Sequence, residues 1–205
     1  DLLEESKVGA VFTDGDPQAA VENQLVGADL DLRSSDWWGG KSVSLHSFVM
    51  STNDGVEGTD QTFGSWLSFP NYPLHMGAHW LHTGDDFEPA LGFVRRRGGR
   101  SASFHSSYSF KLEEHPYIED LTVAAAYSRY DLLDGGLDTE EVHLKLIEIR
   151  THEGDRCDFS IEFEREILTA PFEIVDGIEI AAGDYRQVEF EFEWSSSAKR
   201  PFFME

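Results

Sequence analysis

Apolar and polar residues alternate one for one along most of this chain. Val188, Phe190, Phe192 and Trp194 fall in one phase and Glu189, Glu191 and Glu193 in the other. Successive side chains of a strand project to opposite faces, so this segment reads as a strand with one apolar and one acidic face. The same rhythm sets Val26, Ala28, Leu30 and Leu32 against Gly27, Asp29 and Asp31. It also sets Ala102, Phe104, Tyr108 and Phe110 against Ser101, Ser103, His105, Ser107 and Ser109. A helix would repeat every three or four residues instead. The pattern predicts strands over 6–13, 24–32, 41–51, 60–69, 73–82, 100–110, 118–130, 139–151, 156–166 and 185–195. Near residue 145 the phase slips, because Val142, Leu144 and Leu146 are followed by Ile147 and Ile149, and a bulge there would restore it.

Most of these segments are longer than the ~5–6 residues usual in soluble sheets, and they bracket the ~9–11 that cross a bilayer at a tilt. Tight connections at Pro70–Pro73, Thr151–Asp155 and Ser195–Arg200 alternate with long ones at 83–99 and 167–184. Such parity is that of an antiparallel up-and-down sheet with short turns at one end and long loops at the other, as in membrane barrels. A soluble sandwich has no reason to keep it over so many hairpins. Trp37, Trp38, Trp80, Tyr117, Tyr130, Tyr185 and Trp194 lie near strand ends, where interfacial girdles would place them, although aromatic residues also favour strands in general. The expected fold is therefore all-β, an antiparallel up-and-down transmembrane β-barrel of which about ten strands are present.

Composition narrows the function classes. The chain has 205 residues and no linker-like segment, and reads as one domain. Its net charge of −23 repels nucleic acid and suits either an acidic pore lining or a salt-adapted soluble surface. Cys157 is the single cysteine, which excludes an internal disulfide, and its phase places it with Phe159, Ile161 and Phe163 as a small apolar residue. No stretch reaches the ~18 consecutive apolar residues of a membrane helix, so strands would have to do any spanning. Asp1-Leu2-Leu3-Glu4-Glu5 lacks the pattern of a secretory signal, and a strand begins almost at once, so the chain is expected to be an internal fragment of a longer protein.

Three stretches carry a family resemblance. They are Gly84-Asp85-Asp86-Phe87-Glu88-Pro89-Ala90-Leu91-Gly92-Phe93-Val94-Arg95-Arg96-Arg97-Gly98, then Asp131-Leu132-Leu133-Asp134-Gly135-Gly136-Leu137-Asp138-Thr139-Glu140, then Ala170-Pro171-Phe172-Glu173-Ile174 through Gly183-Asp184-Tyr185-Arg186 to Lys199-Arg200-Pro201. From about residue 24 to the end the chain resembles the C-terminal outer-membrane β-barrel region, a domain of unknown function, of a bacterial family that carries an N-terminal family-9-type carbohydrate-binding domain. The resemblance implies the outer membrane of a Gram-negative bacterium, contact with outer-membrane lipid, and carbohydrate met through an upstream domain that precedes Asp1. It offers no catalytic residues. The chain is more acidic than the family pattern, notably at Glu189, Glu191 and Glu193.

Candidate chemistry is sparse. His75 and His79 share a strand face and His105 lies on the polar face of the next strand, a set that zinc or nickel could use. At ~3.3 Å per residue the first two are roughly 13 Å apart, too far for one ion, so solvated imidazoles are the expectation. Asp85 with Asp86, Glu113 with Glu114 and Glu140 with Glu141 are neighbours in sequence, whereas glycoside hydrolysis needs carboxylates facing each other across a sugar. Asp85, Asp86 and Glu88 follow no calcium-loop spacing. Arg95, Arg96, Arg97 and Arg100 form the one dense basic cluster, and would pair with the acidic wall of a barrel as an inward loop or plug, or bind anionic lipid phosphates.

The sequence thus predicts no enzyme and no cofactor or metal. It predicts a barrel segment for membrane passage or anchoring, with Asp29, Asp31, His75, His79, His105, Glu189, Glu191 and Glu193 lining the lumen. One alternative is a soluble acidic β-sandwich that binds carbohydrate through residues such as Trp37 and Trp38. A weaker one is a polysaccharide-acting hydrolase domain.

Overall fold

The computed structural model describes residues 4–15, 23–53, 55, 58–197 and 199. Residues 1–3 of the chain start, residues 198 and 200 of the turn expected at 195–200, and Arg200 and Pro201 of the third family-like stretch lie outside these. The described residues form twelve strands and no helix: β1 Lys7–Asp14, β2 Gln24–Trp37, β3 Lys41–Asn53, β4 Thr59–Pro70, β5 Leu74–Thr83, β6 Gly99–Lys111, β7 Ile118–Leu132, β8 Leu137–Thr151, β9 Arg156–Leu168, β10 Phe172–Val175, β11 Ile178–Ile180 and β12 Gly183–Ser195. Ten of them follow the hydrogen-bonded order β1-β2-β3-β4-β5-β6-β7-β8-β9-β12, and β10 pairs with β11 alone. The fold is all-β, antiparallel and up-and-down, and the sheet is not closed into a barrel.

All ten expected segments are strands. Connections after β2, β4 and β8 are tight, and the longest follow β5 and β9. The second of these long connections holds the β10–β11 hairpin, which the strand list above does not include. Its signal is local: Asp176-Gly177 sits between two short alternating runs, a dipeptide suited to tight hairpin turns, and Gly177 takes a φ of 82°.

The chain falls into two compact units. The first comprises Asp1–Pro70, Gly77–Ser103 and Tyr130–Leu137. Within it β1, β2, β3 and β4 pair in a register that keeps like with like. Val8 faces Leu30, Ala10 faces Ala28 and Phe12 faces Val26, while Lys7 faces Asp31. On the polar side Asp31 continues to His46 and Trp66, and Asp29 to Phe48 and Gly64. Small residues on this face sit under large ones. A Cβ on Gly64 would lie 2.8 Å from the Trp80 carbonyl oxygen, 3.1 Å from Leu81 and 3.2 Å from Phe48, and one on Gly27 would lie 2.8 Å from Met50.

The second unit comprises Asn71–Met76, Phe104–Arg129 and Asp138–Glu205. In it β8, β9 and β12 align Val142 with Phe163 and Val188, Leu144 with Ile161 and Phe190, Ile147 with Phe159 and Phe192, and Ile149 with Cys157 and Trp194. The expected bulge is present. Register shifts between Lys145 and Ile147, leaving Leu146 as the extra residue, and this keeps Ile147 and Ile149 in the apolar row.

Burial is inverted relative to a water-soluble domain. Among the described residues the buried apolar side chains are Leu25 and Phe87, whereas Thr52, Thr62, Asp120, Asp158 and Ser160 are among nine buried polar ones. Large apolar residues line the exposed rows instead, with Phe190 67% and Phe192 69% accessible. A dry core would bury such residues first.

The close approach at Gly64 yields a prediction. Gly64→Ala places a methyl against backbone that cannot yield, and should lower unfolding stability by about 1–3 kcal/mol. Gly136→Ala, where no atom lies within 4 Å, should leave it unchanged in the same denaturant titration.

Candidate functional site

The polar faces carry the candidate chemistry, and each unit has its own. In the second unit, Glu193, Glu191 and Glu189 of β12 stand opposite Asp158, Ser160 and Glu162 of β9. Next across, on β8, come Glu148, Lys145 and His143. The bulge decides this row as well. Before Leu146 the odd-numbered residues Glu141, His143 and Lys145 are polar, and after it the even-numbered Glu148 and Arg150 take over the same face.

These residues form a charge network. Lys145 Nζ lies 2.8 Å from Glu148 Oε2 and 3.9 Å from Asp158 Oδ1. Arg156 Nη2 reaches Glu148 at 3.2 Å and Asp158 Oδ2 at 3.1 Å. The second of these is an ion pair without hydrogen-bond alignment, because Asp158 Oδ2 and Arg156 Nε are buried with no hydrogen-bond partner. On β7, Asp120 Oδ2 accepts from Arg150 Nε at 2.9 Å and from Nη2 at 2.6 Å. Ser160, 2% accessible, donates through Oγ to Glu191 at 3.4 Å. Lys145, Glu148, Arg156 and Asp158 balance in charge, as do Arg150 and Asp120, and the further acid on this face comprises Glu141, Glu162, Glu164 and Glu166 besides Glu189, Glu191 and Glu193.

The polar face of the first unit differs. Asp31 Oδ2 accepts from Arg33 Nη2 at 2.7 Å, and Asp29 lies beside it two residues earlier on β2. Beyond them comes a band of rings. Phe48 and Trp66 have centroids 5.3 Å apart at an interplanar angle of 22°, and Trp66 and His79 5.0 Å at 25°. His46 joins at 5.6 Å from Trp66. All four are half-buried.

The 84–98 connection folds tightly onto this unit. Asp60 Oδ2 accepts from Asp86 N at 2.8 Å, Asn23 Nδ2 donates to Glu88 O at 2.9 Å, and Glu88 N donates to Thr52 Oγ1 at 3.3 Å. Phe87 is buried between these anchors along the chain. Arg97 pairs with Glu88 of its own connection, and Arg96 lies 3.8 Å over the Tyr130 ring, whose hydroxyl donates to Arg97 O. Arg95 and Arg100 are exposed. Arg96 and Arg97 of the basic cluster thus meet local partners.

Of the sequence candidates, Asp29, Asp31 and His79 fall in the first unit, and His75, His105, Glu189, Glu191 and Glu193 in the second. Among the described residues no three His, Cys, Asp or Glu side chains gather as metal ligands. The alternation alone does not single out Asp120, Glu148, Arg150, Arg156 and Asp158; the signal for Glu148 and Arg150 is the phase beyond the bulge, and Asp120, Arg156 and Asp158 stand in the polar phase of β7 and β9. Phe48 and Trp66 were missed because they are apolar residues in a polar phase. Comparison with protein-family models, curated proteins and solved structures finds no match.

Arg150 is exposed but Asp120 is buried, so removing the arginine strands a buried carboxylate. Arg150→Met should therefore cost about 1.5–3 kcal/mol of unfolding stability. Adding Asp120→Leu should restore part of that loss, read from the same unfolding curves.

Proposed function

We propose that this chain is a stretch of the wall of an outer-membrane β-barrel that serves membrane passage or anchoring. The observation that carries the reading is the exposure of large apolar residues such as Phe190 and Phe192 while Asp158 and Ser160 on the polar face of β9 are buried; the acidic row of β12 is exposed as well. From Cys157 to Phe163, and from Val188 to Trp194, the apolar row spans six residue steps, about 20 Å of strand at ~3.3–3.4 Å each. At the ~35–45° tilt of such strands this covers roughly 15 Å of the ~25 Å apolar band of outer-membrane barrels.

The row ends as an interfacial band should. One step beyond Phe163 and Val188 on the same face stand Glu140, Arg165 and Arg186 in register, with Arg165 held to Asp184 at 2.8 Å. Charged pairs at that height meet water and headgroups. At the tight turn after β2, Trp38 is 91% accessible and sits at a φ of 29° beside Gly39 and Gly40, which suits an aromatic anchor. The likeness of the three stretches to the outer-membrane family supports the same compartment. A carbohydrate-binding sandwich needs a second layer over Phe190 and Phe192, and the described residues supply none.

In this reading the open sheet is completed by further pairing at β1 and β12, the strands with one neighbour each. The acidic row favours passage of cations or neutral solutes over anions. No step of catalysis is assigned.

Two results would test the proposal. Expressed at full length behind an outer-membrane leader, the protein should sediment with outer membranes and resist carbonate extraction; release into the wash would support the soluble alternative. Phe190→Arg should lower folding stability in lipid by about 2–4 kcal/mol, as charges on a lipid face do, while Glu191→Gln on the other face should change it little.

A further inference from the structure

The long connection between β5 and β6 is fastened to the polar face of the first unit and not to its apolar rows. We propose that residues 84–98 form a fixed constriction loop, folded inward across the passage that the polar face lines, with Arg95 and Arg96 opposing its acidic lining. The inference rests on the membrane reading, and it names what narrows the passage and which charge of solute it discriminates.

Three observations carry it. First, the anchors stand in the polar phase. Leu25 faces Thr52 and Thr52 faces Asp60 in register, in the phase of Asp31, His46 and Trp66 and opposite to that of the exposed Val26. The connection docks there through its backbone: Asp86 N donates to Asp60 Oδ2, Glu88 N to Thr52 Oγ1, and Ala90 N to Asn23 Oδ1 at 3.4 Å.

Second, burial follows the docking. Leu25 and Phe87 are the buried apolar side chains among the described residues, one on this face and one on the connection fastened to it. Asn23, Thr52, Thr62 and Thr83 are buried with them, and Thr62 and Thr83 share a hydrogen bond at 3.2 Å. A face open to water across its width would leave such hydroxyls wet.

Third, the loop is held at its base. Gly84 N donates to Gln61 O, Gly98 N to Gly84 O and Leu133 N to Gly98 O. A Cβ at Gly84, Gly98 or Gly99 would run into Asp60, Asp85 or Tyr130, so the chain closes tightly there. Arg97 is offset by Glu88, Arg96 is laid over Tyr130, and Arg95 is exposed. Arg100 stands in the other phase of β6, with Ala102 and Phe104, and takes no part.

Inward loops plug some membrane barrels, and rings of charge set which ions pass. In a chain of net charge −23, carboxylates along a passage gather cations, and guanidinium groups at its narrow point offset that bias.

The test is single-channel recording of the full-length protein in planar lipid bilayers under a potassium chloride gradient. Because Gly84 and Gly98 are already hydrogen-bonded, residues 86–96 can be replaced by two glycines without stretching the ends. The shortened variant should show a higher single-channel conductance, or the first measurable current if the native protein is silent. Arg95→Gln with Arg96→Gln should shift the reversal potential toward that of potassium, and Arg100→Gln should not. If the shortened chain does not fold, Asn23→Ala with Thr52→Val unfastens the loop instead, and steady current should break into flickering between levels. Equal conductance and reversal potential in all variants, or silence of native and shortened proteins alike, would overturn the constriction. Carbonate extraction of the same preparations separates the two failures: protein retained by the membrane with no effect of the loop overturns the constriction alone, and protein released overturns the membrane reading with it.

Discussion

The two-residue period of a strand, held in register by antiparallel pairing, is the constraint on which the rest depends. A slip of one residue exchanges the faces of a strand completely. In this chain the consequence would be severe, since Glu191 and Phe192 would trade places against Ser160 and Phe159. Register is therefore specified at each paired strand by the cost of misplacing a carboxylate as much as by the gain from aligning apolar rows. The Leu146 bulge is the clearest case. One additional residue re-phases β8, so that Ile147 and Ile149 rejoin the apolar row and Glu148 and Arg150 meet Asp158 and Asp120.

From that constraint the division of labour follows. The apolar rows have no second layer among the described residues, and the polar rows hold the buried groups. Each unit then uses its polar face differently: one carries paired charge and an acidic row, the other a band of stacked rings. The 84–98 connection adds order of its own, because Asn23, Thr52 and Asp60 tie its backbone down.

Much of the fold was legible because strand alternation is a local signal. Each of the ten long strands announced itself, and even the bulge appeared as two consecutive apolar residues at Leu146 and Ile147. The β10–β11 hairpin was less visible, since four and three residues give the period too little length and only Asp176-Gly177 marks it. The sites were harder to read. Which strand face a residue takes is local, but which residues meet across strands is not, and Trp66 stacks on His79 and Arg150 binds Asp120 from segments that share no motif. Arg97 shows a local partner outcompeting distant ones: Glu88, nine residues away in its own connection, pairs with it.

The central claim is that the exposed apolar rows touch lipid. Spin labels placed singly at 189, 190, 191 and 192, in a Cys157→Ser background and in reconstituted vesicles, measure this directly through collision with oxygen and with a water-soluble nickel chelate. The account predicts alternation, with 190 and 192 favouring oxygen and 189 and 191 favouring the chelate. Equal access of the chelate to all four positions, or its exclusion along with oxygen from 190 and 192, would contradict it.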